Sequence, residues 1–179
     1  TSSYYPYSEP YSGTVGGTNY IRNSVKVVVD AYNGSVDFYV VDDGDPIAKT
    51  YQKIYPKLFK PMSEMPESLQ SHIRYPDTLF TIQAGVYSRY HMEDVKVFYQ
   101  NEDVWDIANE IYGTEQQQMS SNYYIVKLPG EDKAEFINSI PYTPKSKQNM
   151  TALLVGRNDG EHYGELVLYS FPKNKTVYG

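Results

Sequence analysis

The sequence predicts an α+β fold: antiparallel β-hairpins and sheet, made of an N-terminal hairpin plus C-terminal strands, with about four helices inserted in the middle. Apolar residues alternate with period two near both ends of the chain, whereas they recur every three or four residues in the middle. The loops between the C-terminal strands are too short for the crossover that parallel pairing requires. Separate blocks of strands and helices are typical of α+β folds rather than of doubly wound ones.

The chain opens with residues 1–18, which are rich in Ser, Tyr, Pro and Gly and show no apolar periodicity. Because such a segment cannot bury an apolar face, it is predicted to be a flexible linker. Residues 19–179 are predicted to form a single α+β domain, since domains usually contain roughly 100–200 residues. The final residues still alternate like a strand, so this domain is expected to be truncated at its C-terminal end.

Ordered structure is predicted to begin with a hairpin. Alternating apolar residues define one face of two strands: Val25, Val27 and Val29, then Val36, Phe38 and Val40. Asn33 and Gly34 separate the two runs, and Asn-Gly tolerates the positive φ angles of a tight turn.

Four helices are predicted next. Asp45 as cap and Pro46 in the first turn begin the first helix, which Pro56 ends. Its apolar stripe is Ile47, Tyr51, Ile54, Tyr55 and Leu58. The second runs from Met65 to about Arg74. Asp77 is predicted to cap the third, whose stripe is Leu79, Ile82, Val86 and Tyr90. The fourth is predicted from Asn101 or Asp103 to Tyr112.

Strands return in the last third of the chain, over residues 123–128, 134–140, 150–156 and 165–171. Pro129-Gly130 and Asn158-Asp159-Gly160 are turn signals between neighbouring strands. The short loops favour antiparallel pairing.

Composition excludes several classes of function. Lys and Arg number 16 against 22 Asp and Glu, so the net charge of -6 repels nucleic acid. Cysteine is absent, which excludes disulfides, zinc-thiolate sites and thiol nucleophiles. The apolar runs are far shorter than the roughly 20 residues that cross a bilayer, so the chain is expected to be soluble. The sequence contains no recognisable hydrolase or nucleotide-binding motif, and it predicts neither a cofactor nor a specific catalytic residue.

Two groups of residues are candidate metal ligands. His91 lies two and three residues before Glu93 and Asp94, and carboxylates can orient an imidazole. Alternatively, His91 satisfies the C-terminal end of the third helix. A second candidate is the carboxylate cluster that could bind calcium, Asp42, Asp43 and Asp45, although a solvated turn followed by a helix cap explains the same residues.

A third group could form a binding surface. Asp159, Glu161 and His162 lie together at the predicted tip of a hairpin, where polar residues can build a site. The alternative is an ordinary polar turn, since loop tips are usually polar.

The segment 55–76, YPKLFKPMSEMPESLQSHIRYP, is the most distinctive string in the chain. Together with residues 19–26 (NYIRNSVK), 90–94 (YHMED), 143–150 (TPKSKQNM) and 171–173 (FPK), it resembles uncharacterised protein family 0182. These are large bacterial integral membrane proteins with a helical membrane bundle and a long water-soluble region. The resemblance implies that this chain is part of that region, on the extracellular side of the cell membrane.

The resemblance implies no activity. It gives one expected partner, the transmembrane portion of the same polypeptide. The sequence favours a non-enzymatic domain that binds or senses an envelope component or contacts a partner. The alternative is a hydrolase of cell-envelope glycan or peptide that uses carboxylates brought together only by the fold. Self-association is a third possibility, and no nucleic-acid partner is expected.

Overall fold

A computed structural model describes residues 19–172 and 174–178, and the chain divides into two compact units, Thr1–Ile73 and Arg74–Gly179. The α+β class is confirmed, with antiparallel strands near both ends and helices between them. The predicted linker over residues 1–18 lies outside the described residues. The single domain predicted over 19–179 stays a prediction, since compact units can fold together or separately.

The predicted hairpin is confirmed in the first unit. Strands β1 (Val25–Val29) and β2 (Val36–Val40) pair antiparallel. Their connection is wider than a two-residue turn, because the Asp30 N–H donates to the Ser35 carbonyl at 2.9 Å. Gly34 has a φ of +75°, which a residue without a side chain adopts at little cost.

Helix α1 (Pro46–Ile54) begins at Asp45, as predicted, and ends before Pro56. The Asp45 carboxylate accepts hydrogen bonds from the Ile47 N–H at 2.9 Å and from the Ser24 hydroxyl at 2.6 Å. The Tyr20 hydroxyl donates to it at 3.2 Å. Burial alone would raise the pKa of Asp45, but these hydrogen bonds outweigh it and hold the pKa below its usual value.

The predicted stripe of α1 is not a buried face. Its five residues are between 43% and 57% exposed, whereas Ala48 is the buried residue of the helix. The short strand β3 (Phe59–Pro61) follows and pairs parallel with β2, which the sequence did not predict. The second helix is also shorter than predicted, since α2 covers only Glu67–Gln70. A 3-10 turn (Met62–Glu64) precedes it.

The second unit starts with helix α3 (Asp77–Tyr90). Its predicted cap is wrong, because Pro76 occupies the cap position and Asp77 accepts a hydrogen bond from the Ser121 hydroxyl instead. The predicted stripe is partly buried, since Leu79 packs against the core whereas Val86 and Tyr90 are exposed. Phe80 and Ala84 are fully buried, so the side that packs on the sheet is rotated from the predicted one.

The fourth predicted helix is wrong in position. Helix α4 (Val95–Gln100) comes earlier and ends at Asn101, whose φ of 53° is left-handed and stops the helix. Residues 105–118 form strands β4 (Trp105–Ile107), β5 (Asn109–Tyr112) and β6 (Glu115–Gln118). The apolar spacing of this segment fits both helix and strand, and the pairing of β4 with a distant strand decides the outcome.

The C-terminal strands are confirmed as antiparallel. They are β7 (Asn122–Lys127), β8 (Ala134–Pro144), β9 (Ala152–Arg157) and β10 (Leu166–Ser170). In the five-stranded sheet, β8 pairs with β4, β7 and β9, and β10 pairs with β9. Strands β5 and β6 form a separate hairpin.

Helix α3 and the sheet enclose the larger core. Tyr142 of β8 is fully buried and donates a hydrogen bond to the Ala84 carbonyl at 2.7 Å. Burial raises the pKa of the Tyr142 phenol. Phe80, Ile140 and Leu154 belong to the same cluster. This hydrogen bond therefore joins α3 to the central strand within the apolar core.

Gly156 of β9 lies where a side chain would not fit. A Cβ there would stand 2.5 Å from the Asn138 side-chain oxygen and 3.2 Å from the Phe80 ring. Asn138 is fully buried, and Asn158 donates to the Gly156 carbonyl at 3.2 Å. The Asn158 oxygen in turn accepts from the Tyr75 N–H. This polar network consequently fixes Tyr75, two residues before α3, to the sheet.

We predict that Gly156→Ala destabilises the second unit by about 1–3 kcal/mol, because overpacking a filled site forces its neighbours to shift. Gly85→Ala is the matched control, since open space surrounds Gly85 in α3. The control should be neutral or more stable by up to roughly 1 kcal/mol, as alanine favours helix. Urea unfolding followed by Trp105 fluorescence measures both. Equal stability of Gly156→Ala and wild type would contradict the packing described here.

We also predict that Asp45→Ala destabilises the first unit by about 1–2 kcal/mol through loss of the helix cap. A lowered folded-state pKa means that the stabilisation is complete above the unfolded pKa and is lost as pH falls through the folded pKa. Wild type should therefore lose more stability than the variant on acidification. Urea unfolding followed by circular dichroism at neutral and acidic pH tests this, with exposed Asp43→Ala as control.

Candidate functional site

A polar cavity of about 480 Å³ lies beside the β5–β6 hairpin in the second unit. Its lining residues are Ala108, Asn109, Glu110, Ile111, Gln116, Met119, Thr143, Lys147 and Gln148. A volume of this size falls within the range of roughly 300–1,000 Å³ that is usual for small-molecule sites. The cavity is therefore large enough for a compact ligand.

Backbone pairing fixes both walls of this cavity. The Ala108 N–H donates to the Pro141 carbonyl at 3.0 Å, and the Met119 N–H donates to the Ala108 carbonyl at 2.9 Å. The first bond joins the start of the hairpin segment to β8, and the second closes the segment on itself. Ala108 and Thr143 are buried, whereas Gln116 is exposed.

Opposite charges stand among the lining side chains. Glu110 accepts a hydrogen bond from the Gln117 side-chain amide at 3.0 Å, which orients its carboxylate. Lys147 follows a turn in which Ser146 has a φ of 62°, and its N–H donates to the Pro144 carbonyl at 2.9 Å. Among the described residues that line the cavity, Glu110 carries the one carboxylate and Lys147 the one ammonium group.

Three residues with side-chain amides also line the cavity. Asn109, Gln116 and Gln148 each carry both donors and an acceptor, so together they can bind neutral polar groups in either sense. The cavity can thus hold a ligand that presents hydroxyls or amides, an anionic group and a cationic group.

An apolar groove of about 400 Å³ lies between α3 and strands β9 and β10. It is lined by Ile82, Gln83, Val86, Tyr87, Leu154, Leu166 and Leu168. Ile82 and Val86 belong to the stripe that the sequence predicted for α3. The Tyr75 hydroxyl donates to the Gln83 side-chain oxygen at 2.7 Å, so the polar end of Gln83 is fixed by its own unit.

The structure does not bring His91, Glu93 and Asp94 together as a metal site. His91 occupies the C-terminal cap of α3, where its Nδ1 lies 3.2 Å from the Tyr87 carbonyl oxygen. Its ring stacks on Trp105 with centroids 3.5 Å apart. Asp94 caps α4 by accepting from the Lys96 N–H at 2.8 Å. His91 and Asp94 therefore have local structural roles, and Glu93 is exposed.

The carboxylates of Asp42, Asp43 and Asp45 likewise do not form a metal site. Asp45 is buried as the α1 cap, and Asp42 accepts from the Gly44 N–H at 2.8 Å. Asp43 is exposed. Within residues 19–172 and 174–178, no group of three or more His, Asp or Glu side chains is placed to hold a metal ion.

The tip with Asp159, Glu161 and His162 forms a 3-10 turn over Gly160–His162. Asp159 accepts from the Phe136 N–H at 2.7 Å, so it fixes the turn to β8. His162 contacts Glu165 at 3.0 Å. Glu161 is exposed. The proposed role of this tip as a binding surface stays a prediction.

Sequence reasoning missed the charged cluster around Arg157. The guanidinium donates to Glu135 at 2.8 Å and lies 2.9 Å from Glu131 and 3.5 Å from Glu165. Hydrogen bonding to Glu135 raises the pKa of Arg157. The residues are far apart in the sequence, and only the register of Ile137 opposite Arg157 brings them together. These carboxylates are therefore bound to a structural cation.

No helix in the described ranges is both long and apolar enough to span a membrane. The cavity, the groove and the Arg157 cluster all lie in the second unit. A search of solved structures finds no match to this chain.

Comparison with known sequences gives a family. The profile of the uncharacterised protein family UPF0182 matches residues 1–179. UPF0182 proteins of Alkaliphilus metalliredigens and Moorella thermoacetica are each 57% identical, over 99% and 98% of this chain respectively. One from Microcystis aeruginosa is 57% identical over 99% of it. The chain spans about 19% of the length of the first two relatives. The chain belongs to the uncharacterised protein family UPF0182.

Proposed function

We propose that this chain is a ligand-recognition domain on the outer face of a bacterial integral membrane protein, and that the polar cavity binds a component of the cell envelope. The observation that carries the proposal is the chemistry of the cavity lining. Residues that carry amide, carboxylate and ammonium groups line a volume of about 480 Å³. The membrane location is what the resemblance to this family implies.

The lining favours a ligand with both signs of charge. Glu110 would accept from a ligand ammonium group, and Lys147 would bind a ligand carboxylate. The three amides would bind acetamido, hydroxyl or peptide groups between those charges. Muropeptides, the fragments of peptidoglycan, combine acetylated amino sugars with short peptides that carry charged termini. They are the envelope component whose chemistry fits this lining best.

Hydrolysis of the same polymer is the alternative that the sequence left open. Glycosidases need a pair of carboxyl groups roughly 5–9.5 Å apart at the scissile bond. Glu110 is the one acidic residue among the described residues that line the cavity. Three other glutamates of this unit lie close together, but they contact Arg157: Glu131, Glu135 and Glu165. No observation favours catalysis, so recognition is the function proposed.

We predict that the 179-residue chain binds a disaccharide-tetrapeptide muropeptide in isothermal titration calorimetry. Glu110→Gln and Lys147→Gln should each weaken binding roughly tenfold, because a charged hydrogen bond contributes about 1.5–3 kcal/mol. The disaccharide without its peptide should bind more weakly, since it lacks the charged groups.

Matched controls are Glu115→Gln and Lys145→Gln, which change the same charges close by but are not among the lining residues. Both should bind like wild type. Equal losses in controls and cavity variants, or no binding of any muropeptide, would contradict the proposed ligand. Release of a shortened glycan product during the titration would instead support hydrolysis.

Location is tested separately in the full-length protein. Because this chain has no cysteine, a single exposed substitution such as Ile125→Cys introduces one thiol into it. We expect a membrane-impermeant maleimide to label that thiol in intact cells, with labelling compared against a version whose native cysteines elsewhere have been replaced. Labelling that occurs only after the cells are lysed would place the domain inside and contradict the proposal.

A further inference from the structure

Strand β10 has one side that no strand covers. In the part of the chain that the structure describes, β10 pairs with β9 alone. The Glu165 carbonyl accepts a bond from β9, and the Phe171 N–H donates to the residue that precedes β9, each at 2.9 Å. Because alternate residues bond to the neighbouring strand, Leu166, Leu168 and Ser170 direct their N–H and C=O groups away from β9. We call these outward groups the β10 edge.

The β10 edge borders the apolar groove. Leu168 lies opposite Leu154 in the strand register, and both line the groove together with Leu166. Leu166 is 38% exposed, and Val86 on the helix side is 50% exposed. Residues directly opposite one another in neighbouring strands project to the same face of a sheet. A strand added beside β10 would therefore place alternate side chains next to this apolar lining.

An extended, uncharged segment is the occupant that suits this surface. Outward N–H and C=O groups of a strand are a template for another strand, and such strand addition is a recurring mode of recognition. None of the groove-lining residues that the structure describes is charged. The sequence of β10 itself, LVLYS, is also uncharged, so a second copy of β10 meets both requirements.

The two ends of β10 carry opposite charges. Three acidic residues and no Lys or Arg lie between positions 158 and 165: Asp159, Glu161 and Glu165. Two basic residues and no Asp or Glu lie between positions 171 and 179: Lys173 and Lys175. The Arg157 guanidinium at the acidic end does not reverse its sign, since three carboxylates contact it. Antiparallel pairing of two copies sets each acidic end beside a basic end, which is electrostatically complementary.

We propose that two copies of this chain pair antiparallel through their β10 edges, about a two-fold axis at Leu168. This register sets Leu168 opposite its own copy and Leu166 opposite Ser170, so every outward residue meets another one and can exchange both N–H···O bonds. The same patch serves both subunits, as a two-fold interface requires. The polar cavity takes no part, so the inference is independent of the ligand proposed for it.

Amide hydrogen exchange of the isotopically labelled 179-residue chain tests the pairing residue by residue. At high protein concentration, the amides of Leu166, Leu168 and Ser170 should exchange about tenfold or more slowly than at low concentration, because pairing protects them. Val167 and Tyr169 donate to β9 in both states, so their exchange should not depend on concentration. The same concentration dependence at all five amides, or at none, would contradict the proposed edge.

Sedimentation equilibrium measures the association itself. Wild type should approach twice the 20.6 kDa mass of one copy as its concentration rises. Leu166→Lys and Ser170→Pro should each raise the dimer Kd roughly tenfold or more, since each change occurs twice in a dimer. The first puts a charge at the apolar groove, and the second removes an outward N–H without breaking a bond to β9.

Matched controls lie on β7, which pairs with β8 alone among the strands described. Ile125 is 77% exposed, so Ile125→Lys and Ile125→Pro repeat both changes on the other side of the sheet. They should leave the Kd unchanged, and circular dichroism checks that every variant is folded. Equal losses in the controls, or a wild-type chain that stays monomeric at every concentration, would overturn the proposal.

One further outcome would assign the β10 edge to another occupant. The solubilised full-length protein should also form dimers that Ser170→Pro weakens. A full-length monomer, found although the 179-residue chain forms dimers, would show that another segment of the same polypeptide covers the edge. That result would overturn a second copy as the occupant.

Discussion

The second unit depends on one strand that has three partners. Strand β8 has eleven residues and pairs with β4, β7 and β9, while helix α3 packs against it. A strand in that position has little contact with water, so its polar side chains must find partners within the protein. Tyr142 meets this requirement through the Ala84 carbonyl, and Glu135 through Arg157. The first of these bonds joins helix α3 to the strand. The buried Asn138 side-chain nitrogen, by contrast, has no hydrogen-bond partner among the residues that the structure describes.

The same strand also positions the candidate site. Its C-terminal half pairs with β4, and β4 leads directly into the β5–β6 hairpin that forms one wall of the polar cavity. Thr143 contributes to the lining from β8 itself. Strands therefore hold part of the lining, whereas Lys147 and Gln148 lie in the connection between β8 and β9.

Local patterns predicted the elements whose structure depends on local interactions. The hairpin from Val25 to Val40, the Asp45 cap and the C-terminal antiparallel strands follow from alternation, capping chemistry and turn residues. The fourth helix was misplaced, because the apolar spacing near Ile107 fits either structure and the long-range pairing of Trp105 with Pro144 decides it. The polar cavity and the Arg157 cluster could not be predicted, since strand register alone brings their residues together. The apolar stripe of α1 follows from sequence spacing, but its exposure does not.

The polar cavity is the proposed binding site for an envelope ligand. Backbone amide spectra of the isotopically labelled 179-residue chain, recorded during titration with a disaccharide-tetrapeptide muropeptide, locate any ligand without assuming its site. We predict chemical-shift changes confined to the segments that line the cavity, residues 108–119 and 143–148. Shifts confined to the apolar groove or to the tip around His162, or none at all, would contradict it.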